Sequence, residues 1–167
     1  MPIHGTAPGV DQQAIDELVR AFFDLFSNRG GAAPRLRAIF DLCIPEAIIA
    51  KCVSPVPEVT SLEAFIAPRE TLLSNGTLTD FREVETAHHT QVFGNVAQRS
   101  CTYAKSGQLN GVAFHTRGAK VFQFIKGPRG WRISAVAWDD EREGFHLGSD
   151  VPAHFSNPKT MTPVHEI

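Results

Sequence analysis

His88, Tyr103, Gln123 and Trp138 are the residues of this 167-residue chain whose types and positions could do chemistry. His88 alternates with Thr86, Thr90 and Val92, the smaller and more apolar side of a strand-like run. An imidazole titrates near neutral pH, so on a cavity wall it is the group suited to proton transfer. Trp138 shares a strand face with Ser134 and Val136 and offers a broad wall surface, although a core or dimer-interface tryptophan serves packing equally well. Tyr103, the only tyrosine, stands where a strand leaves the sheet, and its hydroxyl can orient a ligand. Gln123 faces opposite to Phe122 and Phe124. Its amide needs a partner, which a ligand, a neighbouring strand or a second subunit can supply.

Other chemistries find less support. His88 and His89 are adjacent on a strand and point to opposite faces, so they cannot chelate one ion together, and no HExxH is present. Cys43, Cys52 and Cys101 are odd in number and contain no CxxC, which fits reduced core thiols rather than disulfides or a zinc site. No metal is expected. The phosphate-cradling glycine loops and the GxSxG nucleophile elbow are missing. Asp139, Asp140 and Glu141 close a strand as an exposed acidic end, and Arg99 is expected on a solvated outer face. Sixteen Lys and Arg against eighteen Asp and Glu leave a net charge of −2, too little positive field to hold nucleic acid. The longest apolar stretches, 21–26 and 47–50, fall far short of a membrane span of about 20 residues. Residues 1–14 lack a basic start followed by an apolar run, so no secretory signal and a cytoplasmic location are expected.

The elements that must position these groups follow from periodicity. Residues 1–10 read as a loose arm. From Asp11, Ile15, Leu18, Val19, Phe22, Phe23 and Phe26 recur at helical spacing, and 28–31 end that helix. Pro34 opens a second helix with Leu36, Ile39, Phe40 and Cys43 on one stripe, stopped by Pro45. Residues 47–53 predict a strand. Thr60-Ser61-Leu62-Glu63 has capping-box spacing for a third helix, kinked at Pro68 and stopped by Asn75-Gly76. Strand-like runs then cover 81–93, 96–103, 116–125 and 131–138, with turns at 94–95 and 127–130 and a loop at 106–111. Residues from Arg142 to the C-terminus predict a tail outside the core.

Helices first and a long antiparallel sheet afterwards give an α+β layering in which a curved sheet wraps the helices. That order resembles the nuclear transport factor 2-like superfamily. So do the closing segments Gly118-Ala119-Lys120-Val121-Phe122-Gln123-Phe124, Gly130-Trp131-Arg132-Ile133 and Trp138-Asp139-Asp140-Glu141. The superfamily shares the cystatin-like cone fold of ketosteroid isomerases, polyketide cyclases and scytalone dehydratase. The resemblance implies a domain over 11–142, between an arm at 1–10 and a tail at 143–167. It implies a homodimer through the outer sheet face and a small hydrophobic ligand bound without a cofactor. The activity would be that of an isomerase, cyclase or dehydratase, or else that of a non-catalytic ligand-binding or interaction module. In ketosteroid isomerase the first helix supplies a Tyr and the first strand an Asp. Here those elements offer Phe22, Phe23 and Phe26, and Lys51 as the only charge, so that mechanism does not transfer. The remaining candidates are His88 for proton transfer and Trp138, Tyr103 and Gln123 for the ligand.

Overall fold

The computed structural model describes residues 8–148; the rest of the expected arm and tail lies outside the described residues. Helix α1 covers Pro8–Asp24 and so takes in three residues expected in the arm. Proline fits a first helical position, where its missing N–H deprives the helix of nothing. Ile15, Val19, Phe22 and Phe23 are buried along its inner face. Just past its end stands the buried Asn28. Its amide donates to the carbonyls of Leu73 (2.9 Å) and Leu78 (2.7 Å) and accepts from the Phe81 N–H (2.7 Å). A single side chain thus ties the end of the first helix to segments about fifty residues further on, with its polar atoms satisfied.

The second predicted helix is where the structure departs most from the sequence pattern. A 3-10 turn at Leu36–Ala38 leads into a single helical turn, α2 (Ile39–Leu42), and strand β1 already begins at Cys43 and runs to Lys51. Pro45 therefore lies inside a strand instead of stopping a helix. It falls where the pairing of β1 with its neighbour is interrupted, between Cys43 and Ile48, so its missing N–H takes no bond from the ladder. A short strand, β2 (Glu58–Thr60), was not foreseen. Helix α3 (Leu62–Ser74) follows, with Ser61 as its N-cap accepting from the Ala64 N–H at 3.4 Å, one residue later than the capping-box reading placed it.

Four long strands follow: β3 (Leu78–Phe93), β4 (Val96–Leu109), β5 (Val112–Gly127) and β6 (Gly130–Asp140). The predicted loop at 106–111 is strand apart from a tight turn at Asn110-Gly111, where both residues have positive φ (50° and 79°). Backbone of that hand matches the twist of a hairpin, which is why asparagine followed by glycine is favoured there. The sheet order is β2-β1-β6-β5-β4-β3, antiparallel throughout except where β1 runs parallel to β6. Register breaks within β3 and beside Phe124 bend the strands, and the curved sheet closes around α1 and α3. Phe22 and Phe122 meet edge to face at 5.3 Å, and Phe26, Phe65 and Trp138 continue the contact from α1 through α3 to β6. Among the described residues no helix is long and apolar enough to cross a membrane.

Candidate functional site

Phe22 of α1, Phe26 in the turn just after it, and Phe65, Arg69, Leu72 and Leu73 of α3 close one side of a cavity of about 410 Å³ against the concave sheet. Phe65 and Arg69 are four apart on a helix and therefore share a face. The guanidinium of Arg69 lies 3.9 Å over the Phe65 ring, and its Nη1 donates to the Phe65 carbonyl at 2.8 Å. On the sheet side the wall is built by alternation: Phe81 and Glu83 of β3, Lys105 and Leu109 of β4, Phe114 and Lys120 of β5, Trp138 and Asp140 of β6, and Lys51 at the end of β1. Four cationic side chains and two carboxylates thus stand in an otherwise apolar wall.

The deepest charge is Lys120, whose side chain is 4% exposed. Its Nζ donates to Glu83 Oε1 at 2.7 Å, and it lies 4.6 Å from the ring centre of Phe23, 4.9 Å from that of Tyr103 and 5.5 Å from those of Phe22 and Trp138. One carboxylate and the negative faces of four rings offset the lost hydration of the ammonium. Nearer the rim, Lys105 Nζ holds both oxygens of Asp140, at 2.8 and 2.7 Å. Tyr103 lies beneath this pair, fully buried, with its hydroxyl donating to Asp140 and near the Asp139 carbonyl at 3.0 Å. Gly118 makes this possible. It sits in register between Asp140 and Tyr103, and a Cβ there would collide with the Tyr103 hydroxyl and the Asp139 carbonyl.

Burial raises the Tyr103 hydroxyl far above the ordinary tyrosine value, and the Asp140 carboxylate adds to the effect. A folded-state value raised in this way contributes stability that is complete below the unfolded value of about 10 and declines as pH rises beyond it. Because the chain has one tyrosine, an alkaline titration can be read without ambiguity. Tyrosinate absorbance is expected to stay silent through the ordinary range and to rise together with loss of the circular dichroism signal. A tyrosinate step near pH ~10 with the dichroism intact would contradict the buried hydroxyl.

No family model matches the chain, and no curated protein matches it in sequence. Solved structures do match it in shape. A nuclear transport factor 2 (NTF2-like) superfamily protein from Salmonella enterica superposes with a TM-score of 0.68 at 18% identity, over 87% of this chain and 100% of that one. An NTF2-like protein with a cystatin-like fold from Novosphingobium aromaticivorans gives 0.58 at 18% identity, over 77% and 80%. This chain has the nuclear transport factor 2-like fold. A third match, an NTF2-like protein of unknown function from Silicibacter pomeroyi, gives 0.57 at 17% identity, over 81% and 100%. Identities this low carry the fold and leave the activity to this chain's own residues.

Within the nuclear transport factor 2-like cone, the four residues singled out in the sequence do not come together. Trp138 is in the cavity wall, and Tyr103 backs that wall without lining it. Gln123 is exposed on the other surface of the sheet. Phe122 and Phe124 face the helices, so strict alternation sends the amide outward, towards Gln98 and Ser134. His88 is on the helix side, in one register row with Lys51, Trp138, Lys120 and Cys101. It is four strands away from Lys51 along that row, and α1 intervenes: Phe22 faces the cavity while Val19, Phe23 and Asp16 line a separate groove with His88. There His88 Nδ1 lies 3.0 Å from Glu85 Oε1, its side chain 42% exposed. Arg99 corrects the expectation of an outer face. It is 2% exposed and is held by Glu85, by Thr90 at 3.2 Å and by Asp16 of α1. Burial is the largest single influence on Asp16 and works against its charge, but the hydrogen bonds from Arg99 and Gln12 and the Arg99 charge together hold the carboxyl below its ordinary value.

Lys120, Glu83, Lys105, Asp140 and Arg69 are the charged wall residues that sequence reasoning missed. A signal for two of them was present: Lys120 alternates with Phe122 and Phe124, and Glu83 with Phe81. Two wider hollows, of about 560 and 630 Å³, lie on the outer surface and gather amides, hydroxyls and aliphatic groups such as Gln91, Gln98, Gln123, Ser134 and Val121. The cone interior, whose wall holds both partners of the Lys120–Glu83 and Lys105–Asp140 pairs beside Trp138, is the better candidate.

Proposed function

We propose that this protein binds a small hydrophobic molecule in its cone cavity, with Trp138 as an aromatic wall and Tyr103 holding that wall in place. The observation that carries the reading is the cavity itself. Its volume of about 410 Å³ falls within the range of small-ligand pockets, about 300–1,000 Å³, and its wall is aromatic with a few convergent polar groups. An interaction module would need no such space behind its helices. If the protein is also a catalyst of the isomerase, cyclase or dehydratase kind, the acid and base are Lys120 and Glu83 rather than His88, because those two stand in the wall.

Ligands are expected to quench the tryptophan fluorescence, and Trp138→Leu is expected to remove that response. Trp131 cannot replace it, since its indole is engaged by Asp11 at the opposite end of β6. A ligand panel of apolar and aromatic compounds that neither quenches fluorescence nor raises the melting temperature would overturn the pocket reading.

The same reading includes a homodimer through the outer sheet face. Ile48, Val121 and Ile125 are 51%, 38% and 39% exposed there, a stripe that a second copy would cover. Sedimentation is expected to give a dimer at micromolar concentration, and Val121→Lys to shift it towards monomer. Wild-type protein sedimenting only as monomer would refute this part.

A further inference from the structure

We propose that the ligand is an anion, an aromatic or other apolar carboxylic acid whose carboxylate is held at the cavity mouth by Arg69 and Lys51; this rests on the pocket reading above and specifies its ligand class. The argument is one of charge balance within the wall. Lys120 is matched by Glu83 at 2.7 Å and Lys105 by Asp140 at 2.7 Å, so these two wall pairs are neutral overall. Lys51 and Arg69 remain. The carboxylate close to Lys51 is Glu58 of β2, 3.8 Å from Nζ and 60% exposed on the rim, a geometry that couples weakly through water.

The charges of two carboxylates reach Arg69, that of Glu58 on the rim and that of Glu83, which already pairs with Lys120. One exposed acid therefore stands against two cations. Among the described residues Arg69 forms no ion pair, and the hydrogen bond it makes is to the carbonyl of Phe65 in its own helix. A half-buried guanidinium without a carboxylate is an open seat for one, since its planar fork can meet both oxygens of a carboxylate.

Position agrees with charge. Lys51 is the register partner of Trp138, and the Arg69 guanidinium lies 5.8 Å from the Trp138 ring, so the two cations flank the indole on the mouth side. Lys120 reaches the same indole from the next strand, deeper in. A ligand lying against Trp138 and Phe65 would bring a terminal carboxylate between Lys51 and Arg69 while its apolar body entered the aromatic interior. A neutral molecule of the same shape would gain the apolar contacts alone.

Naphthalene-carboxylate and the isosteric naphthalene-carboxamide, titrated calorimetrically into the full chain at neutral pH, separate the two cases. The carboxylate is expected to bind at least about tenfold more tightly, because a charge-assisted bond in a half-buried site exceeds a neutral one. Arg69→Gln, and independently the more peripheral Lys51→Gln, are each expected to reduce carboxylate affinity about tenfold while leaving carboxamide affinity within about twofold. Melting curves check that both variants are folded. Equal affinity for the two probes, or a preference that survives both substitutions, overturns the anion inference and leaves the apolar pocket standing. If neither probe binds at millimolar concentration, the pocket reading fails and this inference falls with it.

Discussion

Lys120→Met is expected to cost about 3–5 kcal/mol of folding stability, because it leaves the Glu83 carboxylate buried without a cation. Glu83 is only 10% exposed and Lys120 4%, so water cannot take the place of the missing partner without opening the wall. Glu83→Leu is expected to be harmful for the complementary reason, stranding an ammonium among Phe22, Phe23, Tyr103 and Trp138. The double variant should be more stable than either single one, since two apolar groups in that space replace a pair whose desolvation cost nearly offsets its attraction. Urea denaturation of the four proteins measures the coupling. Single variants within about 1 kcal/mol of wild type would mean that the pair is hydrated in solution.

Gly118→Ala carries the second large effect. The added methyl would occupy the space in which the Tyr103 hydroxyl lies against β6, and the Asp139 carbonyl blocks the other direction. Relief requires either the tyrosine to swing out of a fully buried position or β5 and β6 to part at Gly118 and Asp140, where they are in register. A loss of about 3 kcal/mol or more is expected, at the upper end of what overpacking costs. Tyr103→Phe in the same background removes the hydroxyl but not the ring or the carbonyl, so it should recover part of the loss. An unchanged unfolding midpoint for Gly118→Ala would show that the strand yields easily there.

Much of the fold was legible because apolar spacing decides it. The steps of three and four from Ile15 to Phe23 specify α1, and the alternation through Phe122 and Phe124 specifies β5. The reading failed where tertiary pairing overrode local pattern. Leu36, Ile39 and Cys43 keep helical spacing, yet from Cys43 onward the backbone gains more by pairing with β6, and the proline that should end a helix sits in a gap of that pairing. The strands were read too short because Ser106, Gln108 and His115 look like loop residues when only composition is weighed, although they pair across a hairpin. The site was harder. Alternation names two faces for each strand but not which one meets the helices, so Gln123 was credited with the position that Lys120 holds. His88 illustrates a further limit: it faces the helix side, but whether α1 crosses before or after it along the sheet is a matter of three-dimensional course that no local pattern carries.

The parallel pairing of β1 with β6 has a consequence for when the site comes into being. Cys43 stands opposite Ile133 and Lys51 opposite Trp138, partners separated by about ninety residues, whereas β3, β4 and β5 each pair with the strand that follows. Contacts of such long sequence separation close slowly because the intervening chain must be gathered first. During synthesis from the N-terminus, α1, α3 and most wall residues exist well before β6, yet until β6 inserts, nothing joins β1 to β5 and the cavity has neither Trp138 nor Asp140. A ligand therefore meets an incomplete wall until β6 is in place, and by binding most tightly then it would favour the folded domain over the partial ones.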